Sequence, residues 1–199
     1  MHHLRGQGPT LIVFTSDHGE MLGDHHMFRK TYANEGSAGV PFIVSAPEGA
    51  RGRFCDAPVV LEDVYPTLLE YAGVGAPKGT EGRSVAPLVK DPEAEPTWPY
   101  VHGEHSPCYG PDTGIQFLTD GREKYVWFTL TGRELLFDLE KDPKELRNLA
   151  DDPAASERIV LWRRRLVEKL APREQDGLSD GRSLIPGRSL PAFRPELLA

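Results

Sequence analysis

Residues 10–25 read Thr10-Leu-Ile-Val-Phe-Thr-Ser-Asp17-His18-Gly19-Glu20-Met-Leu-Gly23-Asp24-His25, and they constrain this chain more than any other stretch. Leu11 to Phe14 form an unbroken β-prone run, the pattern of a parallel strand covered on both faces. The run stops abruptly at an acid, an imidazole and a glycine. A buried parallel strand delivers ligands to a site at its carboxyl end in this way. Gly19 permits a sharp backbone turn beneath them. Asp17 offers a hard oxygen and His18 a nitrogen, a pair suited to one face of a divalent cation. The competing reading makes Asp17 a turn cap and His18 merely exposed.

Composition narrows the function classes. The chain has 199 residues, 39% of them hydrophobic and 27% charged, which is ordinary for a protein with a usable core. Its net charge of −7 argues against nucleic acid as a main partner, because phosphate binding requires clustered excess Lys and Arg. No apolar run reaches the length that crosses a bilayer. Met1 to Gly8 carries no apolar signal core, and the compartment stays open. Cys55 and Cys108 form no Cys-x-x-Cys pair. Each reads as a small buried or semi-buried residue, with a bridge between them left open.

Residues 10–16 and 41–46 read as two parallel strands, with the chemistry on the long loop between them. The spacing of Val60, Leu61, Val64, Leu68 and Leu69 predicts a helix over 63–73, with Pro66 in its first turn and Gly73 as its stop. Residues 76–99 read as an irregular connection. Four short β-prone runs follow at 100–104, 114–119, 124–129 and 134–139, separated by turn signals such as Asp120-Gly121 and Thr131-Gly132. Together they predict a small antiparallel sheet. A helix over 153–170 offers an apolar stripe of Ile159, Val160, Trp162, Leu166, Val167 and Leu170, with Arg158, Arg163, Arg164 and Arg165 on its solvated face.

Several of these pieces together resemble the sulfatase family of the alkaline phosphatase superfamily. The carriers are Thr15 to His25, Met27-Phe-Arg-Lys30, Val40-Pro-Phe-Ile-Val44, Asp63 to Gly73, Gly82 to Leu88, Lys124-Tyr-Val and Leu136 to Leu149, in that order. The resemblance covers roughly residues 10–150 and implies an α/β fold. Residues 1–98 are expected as part of an alkaline-phosphatase-like parallel or mixed sheet with flanking helices, the C-terminal part of the catalytic domain. Residues 99–171 are expected as the small antiparallel sheet plus the C-terminal helix, and 172–199 as an extended or disordered tail.

The resemblance also implies a metal-dependent sulfuric ester hydrolase. Asp17 and His18 are then the metal ligands, with calcium the leading expectation and manganese or zinc favoured by the imidazole. Lys30 is the sulfate contact and a catalytic group; without the resemblance it reads as a solvated lysine. His25 is a catalytic acid or a substrate contact, His26 structural or exposed, and Glu20 a support of the metal loop. His102, Glu104 and His105 read as polar strand-edge residues, and Asp138 and Asp142 as turn formers. The expected partner is a sulfated small molecule or carbohydrate; oligomeric state is left open.

The family's nucleophile, a Cys or Ser matured to formylglycine in C-x-P-x-R or S-x-P-x-R, is matched by neither cysteine. The sequence therefore looks like a C-terminal portion, inactive alone. A phosphonate monoester or phosphodiester hydrolase fragment and a non-catalytic remnant are the alternatives.

Overall fold

The computed structural model describes residues 9–108 and 110–187. Its regular elements are β1 (Ile12–Thr15), α1 (Glu35–Ala38), β2 (Phe42–Ser45), α2 (Val64–Tyr71), α3 (Ala86–Lys90), β3 (Val101–His105), β4 (Ile115–Thr119), β5 (Glu123–Phe128), β6 (Glu134–Asp138) and α4 (Ser156–Leu170). They fall into two compact units. The first holds residues 1–17 and 40–101, the second 18–39 and 102–199. Secondary structure is mixed α/β, as the sequence leads one to expect.

In the first unit β1 pairs with β2, from Ile12 opposite Ser45 to Thr15 opposite Phe42. The pairing is antiparallel, which corrects the parallel reading of both strands. An apolar run carries no information about the direction of its partner. Nor is β1 covered on both faces: burial alternates, with Ile12 43% and Phe14 60% exposed. The helix over 63–73 forms as α2, preceded by one 3₁₀ turn, and Gly73 ends it with φ 69°. The connection expected to be irregular contains α3, where Pro87 sits in the first turn and Ala86 and Leu88 are buried.

The second unit is built on a four-stranded sheet in the order β3-β4-β5-β6, with antiparallel β4–β5 and β5–β6 ladders. Both faces are covered, so β5 is almost continuously buried. Side-chain alternation sends Lys124, Val126 and Phe128 toward the segment around Ala33. It sends Glu123, Tyr125 and Trp127 toward α4, whose Trp162 indole donates to Glu123 Oε2 at 2.6 Å. Ile159, Trp162, Leu166, Val167 and Leu170 form the buried stripe of α4. Each large apolar side chain so covered contributes about 1.5–3 kcal/mol. Val160 departs from the expected stripe and is 59% exposed.

The arginines of α4 are less solvated than their sequence suggests. Arg158 pairs with Glu123, and Arg165 lies over the Trp162 ring. Arg163 donates to Glu134 through Nε at 2.8 Å and a terminal nitrogen at 2.6 Å. Tyr125 donates its hydroxyl to the same carboxylate. Burial pushes the Glu134 carboxyl upward, but the bonds from Arg163 and Tyr125 outweigh it and hold the carboxyl below its ordinary range. Such a carboxylate stabilises the fold above its unfolded-state value of about 4.3, and that contribution is lost as pH falls through the folded-state value. Acid titration of thermal stability tests this. Glu134→Gln is expected to lower the melting temperature at neutral pH and to flatten its fall below about pH 4 relative to wild type.

Two further expectations are corrected. Cys55 and Cys108 are both free and exposed, because each lies on an irregular segment rather than in a core. Residues 172–187 are not an extended tail. Leu178 is buried, Ile185 N–H donates to the Leu178 carbonyl at 2.9 Å, and Gly187 N–H donates to the Thr129 carbonyl at 3.1 Å. Leu178 anchors this stretch, which a Ser179–Leu184 bridge folds back on itself. Residues 188–199, and the Met1–Gly8 start, lie outside the described residues. Among the described residues, no helix is long and apolar enough to cross a membrane.

Candidate functional site

The chain leaves β1 at Thr15, and Asp17, exposed, is the last residue of the first unit's opening segment. Ser16 Oγ donates to Asp17 Oδ1 at 3.4 Å. His18 begins the 18–39 segment of the second unit. Its Nδ1 lies 2.7 Å from the Gly19 carbonyl. A carbonyl only accepts, so Nδ1 carries the proton and Nε2 presents the lone pair. Lys30 Nζ stands 3.2 Å from that Nε2. Two sequence-predicted site residues, twelve positions apart, therefore meet.

Backbone contacts hold the segment in shape. Gly19 N–H donates to the Ser37 carbonyl at 2.8 Å. A Cβ on Gly19 would lie 2.3 Å from the Gly36 carbonyl oxygen and 2.8 Å from that of Gly39, so only glycine allows this approach. Met21 is buried and its N–H donates to Arg29. The Glu20 carboxylate accepts the Arg29 backbone N–H. Between Leu22 and Thr31 the backbone is left-handed at Leu22, His25, His26, Arg29 and Thr31, with φ from 50° to 87°. Each such non-glycine residue costs about 1–2 kcal/mol. Such a loop persists only where its surroundings over-determine it.

His25 Nε2 donates to the Lys144 carbonyl at 2.9 Å, leaving Nδ1 for other chemistry. His26 is exposed. A cavity of about 70 Å³ opens among Met21, His25, Asn34, Glu35 and Glu145.

The donor chemistry at His18 suits a metal ligand. A ligating histidine characteristically ties its other ring nitrogen to a backbone carbonyl, as Nδ1 does here. Asp17 adds an oxygen donor from the adjacent position. Among the described residues no group of three or more His, Cys, Asp or Glu comes together.

Sequence reasoning missed the groups that hold the loop. Lys124 is fully buried, 2.7 Å from the Ala33 carbonyl, 2.5 Å from Glu35 Oε1 and 2.9 Å from Glu145 Oε1. The available signal was a lysine in phase with Val126 and Phe128 on a strand buried on both faces. The His102 cluster lies elsewhere in the second unit. His102 Nε2 is 2.7 Å from Gln116 Oε1, Gln116 donates to Glu104 at 2.9 Å, and Arg173 pairs with Glu104 at 2.9 Å. Burial lowers the His102 value below its ordinary one. Asp138 and Asp142 accept backbone N–H groups of Lys141 and Arg147, as turn formers do.

Residues 23–172 match the family described as N-sulphoglucosamine sulphohydrolase, C-terminal. An arylsulfatase of Clostridium perfringens is 43% identical over 183 residues, covering 89% of this chain and 37% of that protein. A choline-sulfatase of Rhizobium meliloti is 41% identical over 148 residues, covering 72% and 28%. Among solved structures, a 2-O GAG sulfatase superposes with a TM-score of 0.73 at 30% identity, over 84% of this chain and 37% of that one. A phosphonate monoester hydrolase of Agrobacterium radiobacter does so with a TM-score of 0.66 at 30% identity, over 83% and 35%. The chain thus spans roughly a third of the length of these relatives. With its ordered motifs, its mixed α/β architecture and a match covering most of its length, the chain belongs to the sulfatase family, corresponding to that family's C-terminal part.

Proposed function

We propose that this chain supplies the metal-facing and sulfate-facing groups of a sulfuric ester hydrolase. The observation that carries the reading is the meeting of Lys30 Nζ with His18 Nε2 at 3.2 Å, beside a His18 ring whose other nitrogen is already engaged.

Breaking a sulfate ester builds negative charge on the non-bridging oxygens and on the departing oxygen. Lys30 is an exposed point charge on a preformed loop, suited to one non-bridging oxygen. Asp17 and His18 would hold a divalent cation, calcium first and manganese or zinc as alternatives, with the His18 Nε2 lone pair passing from Lys30 to the ion and Lys30 Nζ passing to the sulfate. When bound, that ion supplies Lewis acidity to the sulfate and activates the nucleophile. His25 faces the departing group in this reading. With Nε2–H donated to the Lys144 carbonyl, Nδ1 is the ring atom that would take up a proton, forming the imidazolium, and pass it to the leaving oxygen. No C-x-P-x-R or S-x-P-x-R run occurs within the 199 residues, so the formylglycine nucleophile is assigned outside them. The substrate class is a sulfated small molecule or carbohydrate.

The second reading, a phosphonate monoester or phosphodiester hydrolase, draws on the Agrobacterium radiobacter likeness. Both ester classes demand similar charge stabilisation, so rates decide. The whole enzyme is expected to hydrolyse a chromogenic aryl sulfate faster than a chromogenic phosphodiester, while these 199 residues alone turn over neither. A phosphodiester preference would favour the second reading. Metal-dependent turnover by this chain alone would overturn the placement of the nucleophile outside it.

A further inference from the structure

The loop carrying His18, His25 and Lys30 is held by a charge buried beneath it, and we infer that Lys124 is the positioning residue that brings Lys30 against His18. Lys124 has no exposed side-chain surface. An ammonium removed from water is costly unless every proton finds an acceptor. Three acceptors surround it: Ala33 O at 2.7 Å, Glu35 Oε1 at 2.5 Å and Glu145 Oε1 at 2.9 Å. Lys124 donates hydrogen bonds to the first two, and the Glu145 carboxylate balances the charge as an ion pair. An apolar side chain in phase with Val126 and Phe128 would cover the same face without any charge to compensate. The lysine therefore adds direction to the packing.

The geometry also shows what is directed. Ala33 lies three residues after Lys30, so fixing its carbonyl confines the Lys30 backbone to within about 11 Å. Glu145 engages the same segment twice, through Lys124 and by accepting the Glu35 N–H on Oε2 at 2.7 Å. The neighbouring Lys144 carbonyl accepts from His25 Nε2 at 2.9 Å. At the far end of the segment, Gly19 N–H donates to the Ser37 carbonyl, which ties the His18 side of the loop to α1. The strand β5 and the turn at 144–145 thus grip the C-terminal end and the middle of a loop whose backbone is left-handed at five non-glycine positions, and the Gly19–Ser37 bond ties its start to that gripped end. Without such a grip that loop has no reason to hold Lys30 Nζ 3.2 Å from His18 Nε2. The inference rests on the sulfate-contact reading of Lys30 for its catalytic meaning; the grip itself does not.

Amide hydrogen exchange and ring-nitrogen NMR on the full chain test it, with Lys124→Met and Glu145→Gln. Loss of the grip is expected to speed exchange at Gly19, Met21 and Gly23 at least about tenfold, while amides at the centre of α4 stay within about twofold of wild type. The nitrogen signals of His18 and His25, each held to one tautomer in the wild type, are expected to move toward averaged positions. A folded Lys124→Met with unchanged loop exchange and unchanged ring signals would overturn the inference. So would a rise spread equally through α4, which marks a merely structural role. Should Lys124→Met fail to fold, Glu145→Gln decides on the same criteria, since it keeps an acceptor for the Glu35 N–H while removing the charge opposite Lys124. None of these readouts needs sulfate or turnover. A chain that failed to bind sulfate would leave the grip standing, and a loose loop in the wild type would leave the sulfate reading standing.

Discussion

Asp63→Ala is expected to take roughly 3–5 kcal/mol from the stability of the first unit. Asp63 is fully buried, and its carboxylate accepts from Val60 N at 3.1 Å, Arg83 N at 2.8 Å and the Trp98 indole at 3.0 and 3.1 Å. Its backbone carbonyl accepts from the Thr67 hydroxyl at 2.6 Å, which in turn receives Val85 N–H at 2.9 Å. One residue therefore joins the entry to α2, the approach to α3 and the Trp98 ring that Arg83 covers at 3.8 Å. Alanine would strand three donors in a water-free site. Each stranded donor costs about 1–3 kcal/mol, so a loss of roughly 3–5 kcal/mol is expected even after partial relaxation. That is a large share of a domain's stability of about 5–15 kcal/mol. Asp63→Asn, which keeps an oxygen on one side, is expected to lose roughly half as much. The Trp98 indole N–H resonance and a thermal melt read both effects. A melt of Asp63→Ala within about 1 °C of wild type would mean that the three donors find other partners.

Much of this architecture was legible because its signals are local. The four runs of the small sheet stand between turn residues, and β3 to β6 form within one or two residues of their expected bounds. The stripe of α4 follows from helical period alone, except that Val160 turns outward. Direction was not legible. Residues 11–14 specify a strand but not whether its partner runs with it or against it, and β2 lies antiparallel. Burial of single residues was equally silent, as Leu178 and the two exposed cysteines demonstrate. The site divides along the same line. The Asp17-His18-Gly19 turn was nominated by its residue types at a strand end, and Lys30 by the family resemblance alone. The Lys124–Glu35–Glu145 group could not be named, because its members lie 110 positions apart at the extremes and meet only after the sheet has formed.

Lys30→Met is expected to produce the largest loss of catalysis with the smallest loss of fold. The side chain is exposed, and its one described polar contact is the 3.2 Å approach to His18. Stability is therefore expected to change by no more than about 0.5 kcal/mol. Removing one preorganised positive group from developing anionic charge costs about 2.7–4 kcal/mol, or roughly a hundred- to a thousandfold in turnover. In the whole enzyme kcat/KM for an aryl sulfate should fall by that factor. Lys141→Met serves as the control. That lysine is exposed and pairs with Asp138 at 2.9 Å, so its removal should leave kcat/KM unchanged.

The central claim is that Lys30 faces a sulfate anion beside the metal-facing His18 ring, and a titration of the labelled chain with sodium sulfate tests it most directly. Side-chain nitrogen spectra are recorded with and without calcium, against sodium chloride at matched ionic strength. Saturable movement of the Lys30 Nζ and His18 ring signals, absent in chloride and abolished by Lys30→Met, is the expected result. Lys30 and His18 signals that respond no differently to sulfate than to chloride, with or without calcium, would contradict the claim.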